Sequence, residues 1–166
     1  MVVLLLLGLV GAIVSSRFAS PNAFNALAAR DGILATARAA QQMALGRESV
    51  SFNIQSSGDN WLITASADAG ATLLRSYTVP SKDIVLETGS AVANTDSCAD
   101  AYNLAITNDF ELSFDGRGNL LEFTNNALVE SVDASFNGVR LCINDDVSLA
   151  ICISPAGFAA EGECDA

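Results

Sequence analysis

Four cysteines and a few neighbouring carboxylates are the side chains of this sequence that could carry chemistry. The cysteines are Cys98, Cys142, Cys152 and Cys164, and none belongs to a C-x-x-C pair. The chain contains no histidine, which removes the usual general base, the usual zinc ligand and every triad or dyad built on imidazole. Metal binding by the cysteines is therefore not expected. An even number of cysteines in a chain with a membrane or export signal instead predicts two disulfides in an oxidising compartment.

Three pairings of the cysteines are open. Strand alternation places Cys142 and Cys152 on the same side of their predicted strands. We favour Cys152–Cys164, which would hold the C-terminal tail, together with Cys98–Cys142, which would tie a long loop to the sheet. The rival is a Cys142–Cys152 bond across a hairpin.

Carboxylates offer a second, weaker chemistry. Oxygen ligands suit calcium, and such a site could be built from Asp145 with Asp146, or from Asp96 with Asp100. Two acids in a turn usually do no more than form the turn. We therefore assign no metal site and no cofactor, with calcium as the alternative.

Few other residues could support catalysis or ligand binding. Ser81 and Lys82 are adjacent, so in a strand they would point to opposite faces and could not form a dyad. Trp61, Tyr77 and Tyr102 could stack on a ligand, but lone aromatics at strand positions more often belong to the core. We therefore expect no enzyme and assign no catalytic residue.

The charge of the chain is acidic and unevenly placed. The 166 residues carry a formal net charge of −11. Residues 81–166 hold 3 basic against 15 acidic side chains, which gives −12 for that half. A half this negative repels phosphate backbones, so no nucleic-acid partner is expected.

The chain opens on an uncharged apolar run that ends before Arg17. At 1.5 Å per residue, fourteen residues give roughly 21 Å of helix, whereas a membrane-spanning helix covers about 30 Å. A signal peptide would carry basic residues before this run. We predict that the run is a membrane or filament-core helix over residues 1–21, formed by Val2, Val3, Leu4, Leu5, Leu6, Leu7, Gly8, Leu9, Val10, Gly11, Ile13 and Val14.

A second helix segment is predicted over residues 22–46, after a break at Pro21 and with Gly46 at its end. Its apolar residues recur at helical steps and predict one buried face. We expect this amphipathic half to pack on a sheet through Phe24, Leu27, Leu34 and Leu45.

From Ser49 the apolar period changes to two, which predicts strands. Val50, Phe52 and Ile54 alternate with polar residues, and further strand candidates follow as far as residue 154. Residues 88–103 are small and polar and are expected to form a long loop or a short helix. Helix first and strands after predict an α+β head over residues 22–166, with a long N-terminal helix packed on antiparallel β-sheet.

The segment from Val2 to Phe18, with Gly8 and the pair Arg17-Phe18, resembles the start of type IV pilins and of the pseudopilins of type II secretion. The stretches "ARAAQQMALGRESVSFNI", "LSFDGRGNL" and "AICISPAGFAAEGEC" are similar to the minor pseudopilin H class, and minor pilins of mannose-sensitive haemagglutinin pili share these traits. The resemblance implies a pilin-like fold and a structural minor subunit of a pilus or pseudopilus.

The resemblance also implies a location and partners. The subunit would cross the inner membrane once with its head in the periplasm, and would then enter a pilus or pseudopilus. Its partners would be other pilin or pseudopilin subunits. The alternative is a membrane-anchored extracytoplasmic domain that binds a ligand or acts as an adhesin.

One feature of the family is not found in the chain: the processing site and the glutamate that follows it. We expect the codons upstream of Met1 to encode a short basic leader, a glycine and an apolar stretch with one glutamate. An ionisable group is costly in hydrocarbon and usually has a specific partner, which here would be the amino terminus of a neighbouring subunit. Sequencing of the upstream frame tests this expectation, and a stop codon or a polar stretch would contradict it.

Overall fold

Antiparallel β-structure dominates the computed structural model, which describes residues 21–47, 49–90, 98, 104–126, 128–131, 137–162 and 164. These residues contain one α-helix, α1, and eleven strands. The bounds are α1 Pro21–Ala44, β1 Val50–Ser57, β2 Asn60–Ala67, β3 Thr72–Pro80, β4 Leu86–Ser90, β5 Leu104–Ala105, β6 Asp109–Phe114, β7 Leu120–Asn125, β8 Leu128–Ser131, β9 Val139–Ile143, β10 Ile151–Ile153 and β11 Ala159–Glu161. A single turn of 3₁₀-helix covers Val147–Leu149.

The first sheet has six strands in the order β3-β2-β1-β6-β7-β8. Strand β1 lies at its centre and pairs antiparallel with both β2 and β6. The predicted inward face of β1 is confirmed, because Val50, Phe52 and Ile54 are fully buried. Gln55 on the other face is exposed as expected, whereas Ser51 is buried. Phe52 meets Phe110 of β6 edge to face, with ring centroids 6.5 Å apart.

The second sheet has five strands in the order β11-β10-β9-β4-β5. Its central strand β9 pairs with β4 on one side and with β10 on the other. Val139, Leu141 and Ile143 of β9 belong to the same buried cluster as the inner residues of the first sheet. One core therefore serves both sheets and the helix.

The expected fold class, a pilin-like α+β head built on a long N-terminal helix, is wrong for the described chain. Two antiparallel sheets and one 24-residue helix are present instead. Residues 88–90 and 159–161 were expected to be loop or tail, yet they belong to strands of the second sheet. Their small side chains give a weak strand pattern, and pairing with β9 and β10 decides their structure. The expected apolar half of the helix, residues 1–20, lies outside the described residues.

The buried face of α1 also differs from the expected one. Leu34 is buried, but Phe24 is 73% exposed, Leu27 40% and Leu45 60%. The prediction of a helix with one buried face was right, but the face was placed on the large apolar side chains. The face that is buried carries mostly small side chains. The inward residues are Ala26, Ala29, Ile33, Leu34, Thr36, Ala37, Ala40 and Ala44.

Small residues let α1 lie close to strands β1, β2 and β3. At Gly32 the aromatic ring of Tyr77 occupies the space that a β-carbon would fill. The Tyr77 hydroxyl donates a hydrogen bond to the Ala28 carbonyl oxygen at 3.3 Å. The helix is thus held to the edge of the first sheet at a distance that larger inward side chains would not allow.

Two Leu→Ala substitutions test the corrected face. Leu34 is 4% exposed and Leu45 60%, so the chemical change is the same and only the burial differs. We expect Leu34→Ala to lower the free energy of unfolding by about 2–5 kcal/mol, and Leu45→Ala to lower it by less than about 1 kcal/mol. Urea unfolding of the oxidised protein, followed by the fluorescence of Trp61, measures both. Equal losses would contradict the assignment.

Candidate assembly surface

Both predicted disulfides are present. Cys98 is bonded to Cys142 and Cys152 to Cys164, with Cα–Cα distances of 5.5 Å and 4.9 Å. The favoured pairing is thus confirmed and the Cys142–Cys152 alternative is wrong.

The strand register explains this pairing. Cys152 pairs directly with Arg140, two residues before Cys142, so Cys142 and Cys152 project from the same face of the second sheet. That is the outer face, because Leu141, Ile151 and Ile153 point to the core. The two bonds therefore attach Cys98 and Cys164, which lie elsewhere in the sequence, to the outer face of the second sheet.

Each disulfide stabilises the fold mainly by constraining the unfolded chain. The bonds span 44 and 12 residues. The loop-entropy relation gives about 4 kcal/mol for the longer loop and about 3 kcal/mol for the shorter. A stabilisation of this size is gained only where thiols stay oxidised.

The N-terminal part of α1 presents large apolar side chains to solvent. Phe24 and Leu27 stand on its outer side, next to the Tyr77 ring. They border a shallow groove of about 380 Å³ between the helix and strand β3, whose polar rim includes Asp31 and Arg75.

The predicted membrane or filament-core residues, Val2–Val14, lie outside the described residues. Within the part of the chain that the structure describes, no helix is both long and apolar enough to cross a bilayer. Of the exposed large apolar residues on α1, Phe24 and Leu27 lie nearer in sequence to that run than Leu45 does.

Chemistry-bearing side chains do not converge on a reactive centre in the described ranges. No group of three or more acidic, cysteine or histidine side chains stands close enough there to hold a metal ion. Asp146 accepts hydrogen bonds from the backbone N–H and the hydroxyl of Ser148. These bonds lower the pKa of Asp146, so this carboxylate caps the 3₁₀ turn. The Asp96 and Asp100 pair lies outside the described residues.

Trp61 and Tyr77, two of the three aromatic residues considered for ligand stacking, make contacts within the fold. Trp61 is 7% exposed and donates its indole N–H to the Ile84 carbonyl oxygen at 3.3 Å. Tyr77 packs on α1 at Gly32. Tyr102 lies outside the described residues. Trp61 is thus enclosed in the core, whereas Tyr77 is partly exposed and lines the groove beside Phe24.

The two ends of the molecule can be identified from contacts between α1 and β11. Gln41 donates to the Ala156 carbonyl oxygen, Arg38 donates to that of Ala159, and Arg30 pairs with Glu161. The helix and β11 therefore run antiparallel, side by side. The turn at residues 154–158 lies by the C-terminal end of α1, and the turn at residues 144–150 lies at the other end of the second sheet.

These ends differ in charge. The end near the C-terminus of α1 is termed the basic end and is defined by Arg38, Arg47, Arg117, Leu45 and Phe158. The opposite end is termed the acidic end and is defined by Asp83, Glu87, Asp145, Asp146, Val85 and Val147. At the acidic end, burial and then the repulsion of Asp145 raise the pKa of Glu87. The carboxylates of Glu87 and Asp145 at the acidic end are thus close enough to repel each other.

Comparison with protein-family models, with curated proteins and with solved structures found no match. The resemblance to pilins therefore stays a sequence resemblance, and function has to be argued from the molecule itself.

Sequence reasoning found the cysteine pairing and missed both the outer face of α1 and the two charged ends. The outer face could have been found from the alanines, since Ala26, Ala29, Ala37, Ala40 and Ala44 follow one helical stripe. The charged ends depend on which turns meet, and this information comes only with the sheet order.

Peptide mapping of the oxidised protein tests the disulfide pairing. Residues 141–166 contain no lysine or arginine, so trypsin leaves Cys142, Cys152 and Cys164 in one peptide, and further cleavage at acidic residues is needed. Because Asp145 and Asp146 separate Cys142 from Cys152, and Glu161 and Glu163 separate Cys152 from Cys164, each bond then joins two distinct peptides. We expect Cys98 linked to Cys142 and Cys152 linked to Cys164, and four alkylatable thiols in the native protein would contradict this.

Proposed function

We propose that this chain is a structural subunit of an extracytoplasmic filament of the type IV pilus or type II secretion pseudopilus kind, a minor subunit that assembles through its N-terminal apolar segment, Val2–Val14. The observation that carries the proposal is the outward apolar face of α1. Phe24 is 73% and Leu27 40% exposed, and both follow the apolar segment closely in the chain. A helix that packs on its own head through alanines keeps its larger side chains for a neighbour.

The energetics fit a subunit that is first held in a membrane and then assembled. Burying Phe24 and Leu27 fully would contribute about 1.5–3 kcal/mol each. For the apolar segment the lipid already covers most of the surface, so packing between neighbouring segments decides assembly. The small residues Gly8 and Gly11 would allow close approach there.

The disulfides support an extracytoplasmic location. Two bonds are present among the described cysteines, and such bonds persist in the periplasm and at the cell surface. In this proposal the inner membrane anchors the subunit with its head in the periplasm, and the partners are other subunits of the filament.

A serine scan of exposed apolar residues tests the proposal in cells. The protein is expressed from its own gene in a host that lacks the chromosomal copy, and filaments are sheared from the cells. We expect Phe24→Ser and Leu27→Ser to lower incorporation into filaments severalfold while the protein stays in the membrane fraction. The reason is that each variant removes surface that a neighbour would bury.

The matched control is Leu73→Ser on β3. Leu73 is 62% exposed, more than Leu27, so an effect due to lost surface apolarity alone would be larger at Leu73. We expect this variant to assemble normally. If all three variants are incorporated like the unaltered protein, the outer face of α1 is not used. If the unaltered protein stays in the membrane and enters no filament, the alternative of a membrane-anchored binding domain is the better account.

A further inference from the structure

We propose that the acidic end of one copy of this chain docks on the basic end of the next copy, so that heads associate head to tail. The proposal deepens the filament function above and rests on it, because it names a contact between neighbouring heads. It starts from a groove whose charge is opposite to that of the chain as a whole.

The basic end contains an open groove of about 500 Å³ between α1, the β6–β7 turn and the turn at residues 154–158. Its apolar part is formed by Leu45, 60% exposed, and Phe158, 65% exposed. Arg38 and Arg117 line the same groove, and Arg47 lies beside the turn that carries Arg117. In a chain of net charge −11, this is a local concentration of cations around an apolar surface.

The groove is pre-formed. Gln41 donates to the Ala156 carbonyl oxygen at 3.1 Å, and the Leu120 N–H donates to the Pro155 carbonyl oxygen at 2.9 Å. Gly157 lies so close to the Gly118 carbonyl oxygen that no side chain would fit there. A partner would therefore meet a fixed surface and order little of it on binding.

Two acids described at the basic end, Asp115 and Asp68, are bonded within their own turns. Asp115 accepts hydrogen bonds from the N–H groups of Arg117 and Asn119, and the Asn119 side chain, these amides and the charge of Arg117 lower its pKa. Asp68 accepts from the Thr72 hydroxyl. These carboxylates are engaged locally, and Arg47 and Arg117 are both exposed residues.

The acidic end has the complementary composition. Val85 is 51% and Val147 45% exposed, and around them stand four acids: Asp83, Glu87, Asp145 and Asp146. Lys82 is the basic side chain that adjoins them in sequence. Exposed valines and acids thus share this end of the second sheet, and the approach of arginines would relieve the repulsion between Glu87 and Asp145.

The acidic end is also rigid. The Asn144 side chain accepts from the Val85 N–H at 2.7 Å and donates to the Asp83 carbonyl oxygen at 3.1 Å. The Asn144 N–H donates to the Val85 carbonyl oxygen at 2.9 Å. Two loops from different parts of the chain are fixed to each other in this way.

Position determines the kind of assembly. The two ends lie at opposite ends of the second sheet, along the axis of α1. Two copies related by a two-fold axis therefore cannot bury both the acidic and the basic end of each copy against the other copy. Such a heterologous contact repeats along one direction and forms a ring or an open filament. The occupant of the basic end is thus a second copy of this chain, presented by its acidic end.

Two charge-reversed variants of the full chain test the pairing. One is Arg47→Glu with Arg117→Glu, and the other is Asp83→Lys with Asp145→Lys. The purified protein is studied by sedimentation velocity in a non-ionic detergent, whose micelle covers the apolar segment so that association occurs between heads. We expect the unaltered chain to associate at low salt and to dissociate at about 1 M salt, where the Debye length is about 3 Å. Each variant alone should associate at least about tenfold more weakly.

Mixing the two variants decides the geometry. The mixture contains native acidic ends from the first variant and native basic ends from the second, so association should return. The control is Glu111→Lys with Glu122→Lys, which changes the net charge as the second variant does, but at the middle of strands β6 and β7. We expect this control to associate no more weakly than the unaltered chain.

Four results would overturn the head-to-tail contact: no association of the unaltered chain, normal association of the arginine variant, no rescue on mixing, or equal weakening by the control. None of them bears on whether Phe24 and Leu27 are needed for entry into filaments. Failure of the head-to-tail contact and failure of the proposed function are therefore distinguishable.

Discussion

The close contact between α1 and the first sheet is the constraint on which the rest of the structure depends. It is made by alanines and by Gly32, against which the Tyr77 ring lies. Because these inward residues are small, the helix approaches the strands closely and the aromatic and branched side chains of the sheet fill the core. The same choice of residues leaves Phe24, Leu27 and Leu45 outside. The packed face and the exposed apolar face are thus two sides of one helix.

The disulfides stabilise the second, smaller sheet. Its edge strands β5 and β11 are two and three residues long, which is too short to hold a sheet by strand pairing alone. Cys98–Cys142 and Cys152–Cys164 fix distant chain segments to β9 and β10. With the sheet held in place, its two terminal turns become defined surfaces, and these turns form parts of the acidic and basic ends.

The sequence allowed prediction of those features that depend on local pattern. The burial of Val50, Phe52 and Ile54 and the hairpin at Asp115–Gly118 follow from alternation and turn residues. The favoured disulfide pairing is also present, although alternation alone left three pairings open. The helix face and the fold class were wrong for one physical reason: large apolar side chains were taken to mark the core. Here alanine stripes and short, weakly patterned strands pack inside, and their positions are decided by tertiary contacts that no local pattern records. The charged ends depend on sheet order and could not be predicted from the linear sequence.

The central claim is that the outer face of α1 contacts a neighbouring subunit. Photo-crosslinking in intact cells measures this contact most directly, with a benzophenone side chain placed at Phe24 and, as a reference, at Leu73. Both positions are well exposed in the single chain, at 73% and 62%. The account predicts a crosslink from position 24 to a second filament subunit and none from position 73. Equal crosslinking at the two positions, or no subunit captured at position 24, would contradict it.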